Sequence, residues 1–160
     1  MSRKLALAVV LSLVIGCATV WAADLQTGVW KVNVAKSHYK TATPPQSQTV
    51  TIVSQGKDGI KVTVNAVNPK GEKLVVEYAA QYDGKEYPRT ETGAGAVQGQ
   101  TVSMKRINAQ TVERVAYLKG KKLTTEKWEI SSDGKTRTVT QTGVGPDGKP
   151  VDNLLIYEKQ

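Results

Sequence analysis

The sequence predicts an all-β fold, a single up-and-down antiparallel barrel of about eight to ten strands, and three observations carry that prediction. First, six lysine-bearing glycine turns punctuate the chain: Gly56-Lys57-Asp58-Gly59, Lys70-Gly71-Glu72-Lys73, Asp83-Gly84-Lys85, Lys119-Gly120-Lys121, Asp133-Gly134-Lys135 and Asp147-Gly148-Lys149. Glycine and its Asp neighbours tolerate the positive φ that primed hairpin turns require. Second, the segments between the turns are rich in Thr, Val, Ile, Leu and Tyr and have the length of strands. Third, beyond the N-terminal leader no helical period persists for more than a turn or two.

Taken in order, the first strand spans Gly28 to Asn33, and a linker from Ala35 to Ser47 follows, in which Pro44-Pro45 forbids a continuing helix. Strands are then predicted over Gln48 to Gln55, Gly59 to Val67 and Lys73 to Tyr82, with a short segment Lys85 to Arg89 stopped by its own Pro88. Thr90 to Gly99, diluted by Gly93, Gly95 and Gly99, reads as a loop or bulged edge. Pairing resumes over Gln100 to Ile107, Thr111 to Lys119, Lys122 to Ser131, Thr136 to Gly143 and Asn153 to Glu158. Alternation is cleanest where Ile60, Val62, Val64 and Ala66 share one face, and where Leu74, Val76, Tyr78, Ala80 and Tyr82 share another. One buried face and one wet face require the sheet to curl on itself, and short hairpins favour closure into a barrel over a sandwich.

Arg3 and Lys4, the apolar run Leu5 to Ile15 and the small residues after it have the order of a secretory leader, so residues 1–22 are read as a signal peptide and 23–160 as one domain. Two processing routes stay open. Val20-Trp21-Ala22 suits cleavage before Ala23 and a free periplasmic or secreted protein; Val14-Ile15-Gly16-Cys17 has the form of a lipoprotein box that would make Cys17 a lipidated anchor. Cys17 is the single cysteine, so the domain has no internal disulfide and must stabilise itself by its core. Net charge is +8, falling to +6 once Arg3 and Lys4 leave with the leader. The lysines sit mostly in turns, where they solubilise and blunt strand edges. The charge also allows loose association with an anionic membrane surface, whereas nucleic acid is excluded as a partner by the lack of a basic helix or a stacked-aromatic motif.

Gly28-Val29-Trp30 resembles the Gly-x-Trp signature of the lipocalins, and Asn153-Leu154-Leu155-Ile156-Tyr157-Glu158-Lys159 resembles the closing strand of fatty-acid-binding proteins. The stretch from Glu126-Lys127-Trp128 to Asp133-Gly134-Lys135 is similar to the latter as well, and the whole domain resembles the small exported lipocalin-like proteins of bacteria. The resemblance implies a calycin-type barrel whose interior takes a small apolar molecule. Two family features are absent from the sequence. Leu155 stands where fatty-acid-binding proteins have the Arg of an Arg-x-Tyr pair, and no Arg follows Arg137 to partner the signature Trp as in lipocalins.

Trp30 suits a barrel plug that excludes water. Arg106, in register with Val102 and Met104, and Arg114, in register with Val112 and Ala116, each fall on an apolar face. A guanidinium there would either meet an anionic head group or pair with Glu113 or reach the rim. Val62, Val64, Val76 and Tyr78 are the predicted apolar ligand walls. Small inward residues such as Ala66, Ala80 and Ala116 would favour a hollow barrel. His38 is alone in the linker, and Glu126 and Glu129 point to opposite faces, so neither a metal site nor an acid/base pair can be assembled. The expected protein is a monomeric, cofactor-free binding module for a small hydrophobic or amphipathic ligand rather than an enzyme. The alternative is a solid barrel acting in the envelope as an interaction or inhibitor module.

Overall fold

The computed structural model describes residues 24–160; the segment read as a signal peptide, its expected cleavage site and Cys17 lie outside the described residues. Eleven strands follow one another: β1 Gly28–Val32, β2 His38–Tyr39, β3 Ser47–Ser54, β4 Gly59–Val67, β5 Lys73–Gln81, β6 Asp83–Gly93, β7 Gln100–Arg106, β8 Thr111–Leu118, β9 Lys121–Ile130, β10 Thr136–Val144 and β11 Pro150–Lys159. All but β2 form a ten-stranded antiparallel barrel in up-and-down order, closed where β1 pairs with both β3 and β11. The all-β, up-and-down antiparallel barrel predicted from the turns and the alternation is the fold. β2 lies in the linker and adds itself to β11 beyond the point where β1 leaves it, Tyr39 opposite Asn153 and His38 opposite Leu154.

Alternation sets the interior, because successive side chains point to opposite faces and cross-strand partners share one face. Trp30, Val50, Val64 and Val76 are successive partners across β1, β3, β4 and β5, and together they make one inward row. The hairpins after β3, β5, β7 and β9 gather with residues 24–27 at one end of the barrel, and those after β4, β6, β8 and β10 gather with the 33–46 linker at the other.

Two sequence expectations need correction. The short segment read as Lys85 to Arg89, stopped by Pro88, runs on, and Thr90 to Gly93, read as part of a loop or bulged edge, belongs to it. β6 tolerates the proline because it changes neighbours there: Asp83 to Arg89 pair with β7, and the ladder with β5 begins only at Arg89. Gly93 is required rather than dilutive, since its φ is +104° and a Cβ would run into the Lys73 carbonyl oxygen.

One end of the barrel is packed solid. Trp30, Ile52, Ile60, Val102, Met104 and Val112 are all at most 1% exposed and fill it. Residues 24–27 cap this end. Asp24 binds Arg106 through two hydrogen bonds of 3.2 and 2.7 Å, Tyr82 donates its hydroxyl to the same carboxylate at 2.8 Å, and the Trp30 indole N–H donates to the Gln26 carbonyl at 2.9 Å. Gln26 donates in turn to the Gln110 carbonyl at 3.3 Å.

Candidate ligand cavity

The other half of the barrel is hollow. A cavity of about 330 Å³ opens beneath the linker, which contributes Tyr39, Ala42, Thr43 and Pro45 to its mouth. That volume falls at the lower end of the roughly 300–1,000 Å³ of small-molecule sites. Val50, Val62, Val64, Ala66, Leu74 and Val76, from the paired strands β3, β4 and β5, make one apolar wall, with Leu155 and Val139 on the far side. Of the predicted wall residues, Val62, Val64, Val76 and Tyr78 all border the cavity, and so does Arg114.

Arg106 does not border the cavity. Its guanidinium is taken up by Asp24 and lies 4.0 Å over the Tyr82 ring at the packed end. Arg114 points inward but is already paired, with Glu126 at 2.7 Å and not with Glu113, which faces outward between Lys105 and Lys127. Burial opposes the charge of both partners, yet each holds the other ionised: the Glu126 pKa lies below the usual carboxylate range and that of Arg114 is pushed up. Glu126 also accepts from the Trp128 indole at 2.8 Å and from Gln141 at 2.9 Å. Glu129 lies on the outer face against Lys127, so the two glutamates are separated as the strand spacing predicts. A third inward arginine, Arg89, is paired with Glu91, whose carboxylate also accepts from the Val97 backbone N–H at 2.8 Å.

Arg137 on β10 is different. It is 1% exposed, it borders the cavity, and its guanidinium has no ion pair and no hydrogen bond among the described residues. Three aromatic rings surround the guanidinium, Trp30 at 5.1 Å, Trp128 at 5.0 Å and Tyr157 at 4.8 Å from ring centre to Cζ. Its Nε and Nη1 are buried with no partner. Burial pushes its pKa down, but a guanidinium remains charged at any pH a protein meets. With Arg89 and Arg114 each neutralised by a glutamate, the interior carries one uncompensated positive charge. Cation–π contact with the rings recovers only about 0.5–2 kcal/mol each, less than burying a charge costs.

Arg137 lies over the Trp30 ring, and it stands opposite Tyr157 in the β10–β11 register. Sequence reasoning passed over Arg137 although Val139 and Gln141 share its face. Trp30 is fully buried and does not border the cavity; it lies against the packed end with Arg137 above its ring. Among the described residues no cluster of His, Cys, Asp and Glu could hold a metal ion.

No protein-family model and no curated protein matches this chain. Solved structures do. An asparagine-to-alanine mutant of the fluorescent protein UnaG superposes with a TM-score of 0.59 at 18% identity, covering 87% of this chain and 99% of that one. An asparagine-to-glutamine mutant of the same protein gives 0.58 at 20%, covering 86% and 98%. At these identities the likeness is one of fold: a closed barrel of the same type and nearly the same extent.

Proposed function

We propose that the barrel binds a small amphipathic molecule with a negatively charged head. The head meets Arg137 at the base of the cavity, and the apolar body lies against Val50, Val62, Val64, Val76 and Leu155. The observation that carries this is the buried Arg137 guanidinium, the one among the described residues left without a counter-ion at the edge of an open cavity. An anion there would gain charge-assisted hydrogen bonds in a water-poor site. The hollow interior weighs against the solid-barrel interaction module. The leader supports an exported setting, with a free monomer or a Cys17-anchored form as the two routes, and the reading is of carriage rather than catalysis.

A titration tests the reading. A fluorescent anionic amphiphile and its uncharged analogue are added to wild type and to Arg137→Gln, Arg114→Gln and Arg106→Gln. Hydrogen bonds to a charged group contribute about 1.5–3 kcal/mol, so Arg137→Gln is expected to weaken the anion about ten- to a hundredfold and leave the neutral analogue nearly unchanged. Arg106→Gln should leave both unchanged. Equal binding by Arg137→Gln and wild type, or no binding to wild type at high micromolar concentration, would overturn the proposal.

A further inference from the structure

Nearer the mouth the cavity holds a second unanswered group. Asn153 on β11 is 5% exposed and borders the cavity. Its Nδ2 donates to Gln141 Oε1 at 3.1 Å, and Gln141 Nε2 donates to Glu126 Oε1 at 2.9 Å. The direction of this relay is fixed by chemistry. Ionised Glu126 can only accept, so Gln141 turns its nitrogen toward it and its oxygen toward Asn153, and Asn153 must turn its nitrogen toward Gln141. The relay therefore ends with Asn153 Oδ1 buried and without a partner. Tyr39, opposite Asn153 in the β2–β11 pairing, also borders the cavity, and its hydroxyl is likewise buried without a partner. Such groups regain the hydration they have lost only from a donor or acceptor that enters the cavity.

We propose that Asn153 and Tyr39 form a second polar subsite that reads a hydroxyl at the far end of the ligand. The hydroxyl donates to Asn153 Oδ1 and accepts from the Tyr39 O–H. The register sets the spacing: Arg137 faces Tyr157, and Asn153 lies four residues back along β11, about 13 Å at a rise of about 3.3 Å per residue. The ligand class is then an amphipathic hydroxy acid with its hydroxyl on the order of 13 Å from its charge. The inference rests on Arg137 as the anion site and adds the discrimination at the other end.

Three probes separate the two ideas: lauric acid, its ω-hydroxy derivative, and the ω-methyl ether of that derivative, which can accept but not donate. In calorimetric titrations of the wild-type domain the hydroxy acid is expected to bind about tenfold tighter than either of the others, because a site shaped to pair a hydroxyl disfavours ligands that leave its polar atoms unpaired. Asn153→Leu should abolish that preference while keeping affinity for lauric acid. Tyr39→Phe, which removes only an unpartnered hydroxyl and should fold normally, should reduce the preference severalfold. Equal affinity of the three probes for wild type would show that buried water answers Asn153 and would overturn the subsite while leaving the Arg137 reading intact. Failure of all three to bind would overturn the Arg137 reading and this inference with it.

Discussion

The two ends of the barrel hold arginines in opposite circumstances. At the packed end Arg106 has a carboxylate in a two-bond fork, a tyrosine ring beneath it and part of its surface in water. In the hollow half Arg137 has three rings around it, no carboxylate and almost no exposed surface. The first arrangement stabilises the fold with what the chain itself supplies. The second leaves a cost that the chain does not offset, and the proposed anionic head group would offset it.

The largest expected effect is on the boundary between the two halves. Trp30→Ala removes a fully buried indole and its bond to Gln26, and it also uncovers one face of Arg137. Loss of about 3–5 kcal/mol is expected, read as a lowered urea midpoint. A midpoint near wild type would show that the packed end is not organised around Trp30 and that the two ends do not differ in this way.

Replacing each arginine by methionine should move stability in opposite directions. Arg137→Met in the ligand-free protein is expected to stabilise by about 1–2 kcal/mol, since relief of a buried, unpaired cation outweighs the lost ring contacts. Arg106→Met should destabilise by about 1–2 kcal/mol, the value of a charge-assisted pair discounted for its partial exposure. Chemical denaturation without ligand measures both. Destabilisation by Arg137→Met of the same size as by Arg106→Met would mean that Arg137 is a structural residue and not a waiting one.

The same contrast explains what the sequence made legible. Turn glycines and period-two alternation are local signals, and they were enough for the barrel, its strand order and the apolar wall of Val62, Val64 and Val76. Pro88 misled because its tolerance depends on which neighbour β6 pairs with at that point, which is not a local property. The candidate site was legible only in part for a similar reason. Arg106, Arg114 and Arg137 all occupy inward positions by alternation, and only the partners brought by other segments distinguish them: Asp24 from the residues before β1, Glu126 from β9, and none for Arg137 among the described residues. The polar relay from Glu126 through Gln141 to Asn153 crosses three strands, and its members stand 15 and 12 residues apart in the chain. No spacing rule connects them.

The smallest expected effect concerns acid. Burial alone would raise the Asp24 pKa, but the bonds from Arg106, from the Tyr82 hydroxyl and from the Gln26 backbone N–H prevail and hold it below the usual value of 3.8. A carboxyl whose pKa is lower folded than unfolded binds protons more readily in the unfolded chain, so its stabilisation is fully present above the unfolded value and disappears as pH falls through the folded one. Stability should therefore decline below about pH 4, with Asp24 at the packed end and Glu126 in the hollow half both contributing. Asp24→Asn should be destabilised by about 1 kcal/mol at neutral pH and show a shallower acid decline, keeping the share that belongs to Glu126. Urea midpoints of both proteins between about pH 6 and pH 2 make the comparison. Acid declines of identical slope would show that Asp24 in the cap on Arg106 contributes nothing to the acid response.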